Sequence, residues 1–331
     1  MKTIQFRIYL LELIFLLLLA ACGSANQVDP TPVSPEPTNV PDTPVPTEEP
    51  QPEQIVITDD LGFELVLDAP VQTIVSMTPS LTEILFSVGG GDRLVGRDSN
   101  SMFPEAALAA KDLGGMWDGI PIEDILALEP DLILAGENFA AEAIQELRDL
   151  GLTVYWQANP DDFDGLYKNI KQIAVLTGTE NEAEILVSSI QDRVIALDKT
   201  LEGAAETPLV FYELDASEPA SPFTTGSGTF ISYIISKAKG QNLGDVLDGQ
   251  WAQISSEELV AQNPDYILLA DALYGVTPES VAERAGWSEI KAVVDGNLYP
   301  FDPFILSVPG PRLIDGFEQV AEIIHPELFE K

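Results

Sequence analysis

Two tryptophans and two glutamates recur at a fixed interval. "WDGIPIE" runs from Trp117 to Glu123, and "WAQISSE" from Trp251 to Glu257. An indole is a broad apolar face on which a flat ligand can lie, and two carboxylates placed alike can meet basic pockets on a two-fold partner. The match extends further. Residues 117–134, "WDGIPIEDILALEPDLIL", align without a gap on residues 251–268, "WAQISSEELVAQNPDYIL". Eight of the eighteen positions are identical, where average composition gives about one. The chain therefore carries an internal repeat, one supersecondary unit used twice.

Other chemistry is poorly supplied. Nucleophilic triads and zinc hydrolases draw their bases and ligands mainly from His and Cys, and this chain has one of each, His325 and Cys22. His325 precedes Pro326 after an amphipathic last segment and reads as a helix-end residue. A carboxylate-pair hydrolase stays open with 54 acidic residues, yet no pair is singled out by spacing, and a solvated acidic surface accounts for them. A free-metal carrier built on histidines does not fit a single histidine. Iron held by tyrosines stays open, with Tyr155, Tyr212, Tyr233, Tyr266, Tyr274 and Tyr299 available, although Tyr266 falls in an expected buried strand and the others do not cluster in sequence.

The elements that must place the repeated residues can be read from period and punctuation. Residues up to Met77 read as a strand. Thr78 and Pro79 form a turn, and Ser80 and Glu83, in capping-box spacing, open a helix that stops at Gly89. The glycine run 89–91 follows a helix and has no lysine partner, so it is a helix stop and not a phosphate cradle. In each repeat copy a helix begins near the glutamate, ends before Pro130 or Pro264, and leads into "PDLILA" or "PDYILLA". Alternating helices and short β-branched runs give an α/β fold with two similar lobes, mainly parallel sheets and a ligand cleft between them. Between the lobes, Thr179 and Glu182 form a capping box. Ala183, Leu186, Ile190, Val194, Leu197 and Leu201 then keep helical spacing. A helix of about 22 residues is about 33 Å long, enough for one rigid spine joining the lobes.

Ligands of open α/β sheets bind beyond the carboxyl ends of the strands, where loops lead into helices. Trp117 and Trp251 stand just before such helices and are candidates for a shared cleft, the alternative being that each caps its own lobe's core. Glu123 and Glu257 fall in a first helical turn, where a carboxylate is favoured in any case. Their identical offset in both lobes is what suggests a docking pair.

The ends of the chain are distinct from its body. Residues 1–21 have a basic start at Lys2 and Arg7, an apolar stretch interrupted by Glu12, and Ala20 and Ala21 before Cys22. That is a signal peptide, and "LAAC" resembles a bacterial lipobox, which makes Cys22 the lipidation site. Residues 22–54 form a tether with nine prolines from Pro30 to Pro52, six acidic residues and no lysine or arginine. Such a segment cannot bury enough apolar surface to fold. The body then divides into an N-terminal lobe (55–160), connecting helices with the spine (161–204) and a C-terminal lobe (205–331). The formal charge is −38, and removal of Lys2, Arg7 and Glu12 with the leader takes it to −39. A surface that negative argues against nucleic acid or anionic lipid as a partner. It suits a monomeric body outside the cell, tied to a membrane by its lipid.

Several longer stretches carry a family resemblance. "TIVSMTPSLTEILFSVGGGDRLVG", "IEDILALEPDLILA", "SPFTTGSGTFISYII", "WAQISSEELVAQNPDYILLA" and "PGPRLIDGFEQVAEIIHPELF" resemble the helical-backbone class of substrate-binding proteins that serve ABC importers for cobalamin, ferric siderophores and haem. The resemblance covers roughly residues 55 to 329. It implies a chelate held between two lobes joined by a rigid helix, no resident cofactor, no enzymatic activity, and delivery to a dimeric permease with its ATPase. It also implies that Glu123 and Glu257 meet arginines on that permease. In detail the likeness is to cobalamin binders. Trp117, Phe223 and Trp251 match cleft aromatics and Asp302 in "YPFDPFIL" a polar cleft residue, while Tyr274 completes the candidate set. The tyrosine-rich "DYPPEA" segment of those binders is "SNSMFPEA" here, so Phe103 takes a ring position without its hydroxyl. Haem and siderophore binders share the scaffold.

Overall fold

The computed structural model describes residues 54–115 and 119–329. The leader, the tether, Cys22 and Trp117 lie outside the described residues. Residues 51–331 form one compact unit. Its strands are β1 (Ile55–Thr58), β2 (Glu64–Leu67), β3 (Ile74–Ser76), β4 (Leu94–Arg97), β5 (Lys111–Asp112), β6 (Leu132–Gly136), β7 (Val154–Gln157), β8 (Leu209–Glu213), β9 (Phe223–Thr225), β10 (Gln241–Asn242), β11 (Trp251–Gln253), β12 (Tyr266–Leu269) and β13 (Leu298–Pro300). The helices are α1 (Pro79–Ser87), α2 (Ile122–Ala127), α3 (Ala141–Asp149), α4 (Phe163–Thr177), α5 (Glu180–Leu201), α6 (Phe230–Lys237), α7 (Ser256–Gln262), α8 (Pro278–Ala282), α9 (Lys291–Asp295) and α10 (Leu313–Ile324).

Two parallel sheets organise them, in the orders β5-β4-β3-β6-β7 and β10-β8-β12-β13. In each, the chain first builds to one side of its opening strand and then crosses to the other, which creates a switch point between β3 and β6 and another between β8 and β12. Two antiparallel pairs, β1–β2 and β9–β11, complete the strand set. No helix among the described residues is long and apolar enough to cross a membrane.

The repeat is visible as shared backbone detail. Glu129 and Asn263, 134 residues apart like the two tryptophans, both take left-handed φ, at 46° and 54°. Each ends its helix before a proline that cannot continue it. Asp131 then accepts backbone N–H bonds from Gln72 and Thr73 ahead of β3, and Asp265 accepts one from Leu209 at the start of β8. These aspartates fix the register between the opening strand of each sheet and the strand across its switch point.

Two capping boxes expected from sequence are not formed. The cap of α1 is Thr78, whose hydroxyl accepts from Leu81 N–H. Ser80 lies inside the helix, because Pro79 is already set for its first position, and Glu83 faces inward. At α5, Thr179 makes no capping bond; its hydroxyl pairs with that of Thr177 at 2.8 Å. The helix itself covers 22 residues, about 33 Å at the usual rise. It buries Val187 in the stripe where Leu186 was expected, leaving Leu186 half-buried.

Each lobe has its own outer apolar cluster, around Ile133 and Ile144 in one and around Ile267 and Trp287 in the other. A third cluster runs through both lobes by way of α1, α4, α5, α6 and α10. Phe163 at the start of α4 and Phe317 in α10 pack at a tilt within it, ring centroids 5.8 Å apart. Separating the lobes would expose this shared core, so their junction is stiff.

Several carboxyls lie deep enough to set the acid response. Burial pushes Glu83, Asp98, Glu213 and Asp271 above their ordinary values of 4.5 and 3.8. A raised carboxyl contributes stability that is complete below its unfolded value and lost as pH rises through the folded one. Asp112 and Asp131 run the other way, held low first by backbone N–H bonds from Gly114 and Gln72, so their contribution disappears as pH falls past about 4. Urea midpoints are therefore expected to be higher near pH 5 than at pH 8, with only the Asp112 and Asp131 contribution lost on going below about pH 4. A midpoint that climbs steadily to pH 8 would contradict these burial assignments.

Candidate ligand-binding site

The carboxyl ends of both sheets carry the residues that sequence singled out, apart from Trp117. Phe223 and Trp251 come together through the β9–β11 ribbon. Thr225 faces Trp251 and Phe223 faces Gln253, which makes Phe223 and Trp251 diagonal neighbours on one face, within reach of each other's rings. Both are exposed. The ribbon is fixed at the end of β8: Leu214 N–H donates to Phe223 O, Phe223 N–H to Asp215 O, and Thr224 Oγ1 to Tyr212 O at 2.8 Å. Gly244 is required beneath it, because a Cβ there would stand 2.1 Å from Thr225 O.

At the switch point of the second sheet, Asp215 and Ser217 after β8 and Asp271 and Tyr274 after β12 border a pocket of about 330 Å³. Tyr274 is exposed, and Asp271 is buried. Just below, the fully buried Glu213 holds Arg284 in two contacts, of 2.5 and 2.8 Å. Arg284 in turn lies over the ring of Trp287, 4.6 Å from its centroid. Asp302 follows β13, is exposed, and caps a short turn by accepting from Phe304 N–H at 2.9 Å.

Phe103, in the segment after β4, belongs to an assembly that sequence reasoning missed. Arg312, at the head of α10, donates from Nη2 and Nε to the two oxygens of Glu83 on α1, at 2.5 and 3.0 Å. Its guanidinium lies over Phe103, 4.1 Å from the ring centroid. Burial pushes the Glu83 carboxyl up against the pull of Arg312. Together with Asn100 and Phe304 these side chains border a pocket of about 180 Å³. Glu83 and Arg312 are 229 residues apart, and no local spacing links them.

Glu123 and Glu257 both lie in the first turns of their helices, α2 and α7, and both are exposed. Neither enters an ion pair among the described residues. Ser255 caps α7 by accepting from Glu258 N–H at 3.1 Å, so that helix start does not depend on Glu257.

The tyrosines do not converge. Tyr155 and Tyr212 are fully buried, and burial pushes both hydroxyls up. Tyr233 packs edge-on to Phe163, and Tyr266 stacks with Tyr299. His325 caps the end of α10, 3.6 Å from Glu327, as its sequence position indicated.

Two α/β lobes with a shared core and an aromatic, carboxylate-rich rim at the strand ends define a bilobal binding protein. The chain belongs to the periplasmic binding protein family, whose pattern it matches over residues 74–303. It is 32% identical over 280 residues to an uncharacterized ABC transporter substrate-binding lipoprotein of Bacillus subtilis, YvrC, covering 84% of this chain and 87% of that one. Among solved structures, it is similar to the periplasmic vitamin B12 binding protein BtuF of Vibrio cholerae. The TM-score is 0.68 and the identity 25%, over 79% of this chain and 99% of that one. It is also similar to a possible iron-binding, periplasmic solute-binding protein of Staphylococcus epidermidis. Here the TM-score is 0.66 and the identity 27%, over 78% of this chain and 100% of that one. The family is one of binding proteins, not enzymes.

Proposed function

We propose that this protein is the lipid-anchored, extracytoplasmic substrate-binding component of an ABC importer, and that it captures a cobalamin-type corrinoid between its lobes. The observation that carries the ligand reading is the exposed pair Phe223 and Trp251 on one face of a ribbon fixed at the strand ends. A corrin ring is broad and flat enough to cover both, and Phe103 and Tyr274 supply further aromatic surface. The likeness to a vitamin B12 binding protein supports the same choice.

Cys22 carries the lipid in this reading, supported by its "LAAC" context and by the lipoprotein relative. The Pro-rich segment 22–54 holds the body away from the membrane. Glu123 and Glu257 dock on a dimeric permease coupled to its ATPase, one from each repeat copy. The body works as a monomer, and Trp117 is a further ligand contact in this reading.

The likeness to a possible iron-binding protein favours a ferric siderophore as the second reading. Tryptophan fluorescence separates the two. Cyanocobalamin is expected to give saturable quenching, corrected for its own absorption. Saturable quenching by a ferric siderophore with none by corrinoids would transfer the proposal to the siderophore.

A further inference from the structure

Phe103 is held from two sides by neighbouring residues of α1. On one side, the buried Thr82 hydroxyl pairs with that of Ser101 at 2.9 Å. Ser101 in turn donates to the buried Asp98, which also accepts Asn100 N–H at 3.0 Å. These bonds tie the segment after β4 to α1 just ahead of Phe103. On the other side, Glu83, next to Thr82 in sequence, takes Arg312 Nε and Nη2 at 3.0 and 2.5 Å. The guanidinium lies 4.1 Å from the centroid of the Phe103 ring. The Glu83 side chain is 3% exposed and that of Arg312 19%, whereas Phe103 stays exposed at the lip of the 180 Å³ pocket.

An exposed ring on a loop ordinarily exchanges rotamers, and ordering it offsets part of what its contact with a ligand gains. Here the ring rests on a guanidinium that cannot turn without breaking two bonds to a buried carboxylate. Lysine could match the charge, but it has neither the planar face for the ring nor the fork for the carboxylate. We propose that Arg312 is a positioning residue for the ligand site: gripped by Glu83, it holds the Phe103 ring in the orientation that meets the ligand. The proposal rests on the reading of Phe103 as a ligand contact and deepens it.

The test is a double-mutant cycle on the full chain in detergent micelles, read by cyanocobalamin affinity, with the urea midpoint as the control for folding. Arg312→Lys leaves a cation for Glu83, so no buried carboxylate is stranded. It is expected to weaken cyanocobalamin binding by about threefold to tenfold, the ordering cost of one side chain. In the Phe103→Ala background the same change is expected to alter affinity less than about twofold. Should Arg312→Lys fail to fold, Glu83→Gln combined with Arg312→Gln removes both charges and is expected to give the same pattern. A plain tie between α1 and α10, with no part in positioning the ring, would move the urea midpoint and leave affinity unchanged. Unchanged affinity in a folded variant therefore overturns the proposal, and so does an equal loss with and without the Phe103 ring. If no corrinoid binds and a ferric hydroxamate does, the corrinoid reading fails separately, and the cycle is read with that chelate under the same two criteria.

Discussion

With both Glu123 and Glu257 changed to alanine, corrinoid affinity is expected to stay within about twofold of the wild type while import falls at least about a hundredfold. The two effects separate because the two environments differ. In the free protein both carboxylates are exposed at the starts of α2 and α7. A first-turn carboxylate there contributes at most about 1 kcal/mol to folding. Against a desolvated arginine on a partner, truncation leaves that arginine unpaired at about 2 to 5 kcal/mol per site, and about 1.4 kcal/mol is a factor of ten. Single variants should fall between wild type and the double variant. ATPase stimulation per ligand-loaded protein is the cleanest readout. A double variant that unfolds or loses ligand, yet stimulates normally per bound ligand, would make the glutamates helix-start charges and nothing more.

Changing Phe223 and Trp251 together to alanine is expected to weaken corrinoid binding by at least about a hundredfold. The rings are 41% and 52% exposed, so a ligand can still cover roughly 100 Å² of each, worth about 2.5 kcal/mol per ring at the usual coefficient. Part of that sum is offset by imperfect contact and by ordering of the rings on binding. Because both side chains project from the ribbon into solvent, the fold should survive their loss, and circular dichroism and the urea midpoint serve as controls. Unchanged affinity in a folded double variant would show that the ligand sits elsewhere.

The repeat was legible in sequence because half of its identities have structural duties that any copy must perform. Pro130 and Pro264 end a helix, Asp131 and Asp265 anchor the neighbouring strand, and Ile133, Leu134, Ile267 and Leu268 fill the sheets. Among the other identities, Glu123, Glu257 and Trp251 are exposed and fill no core, which is why they point to partners. Glu83 was misread for the opposite reason. Its spacing from Ser80 satisfies a local rule, whereas its real partner, Arg312, comes from the head of α10, 229 residues away. The burial of Asp271 was equally hidden, since it depends on the pairing of β8 and β12. Sequence patterns report contacts within a few turns; ion pairs across the lobes follow only from the packed core.

Native mass spectrometry of the full chain released from detergent micelles, offered cyanocobalamin, haemin and a ferric hydroxamate together, is the most direct check that a corrinoid occupies the cleft. One cyanocobalamin per chain, retained in preference to the other two and lost in the Phe223→Ala/Trp251→Ala variant, is the predicted result. Retention of haemin or the ferric hydroxamate with no bound corrinoid would contradict it.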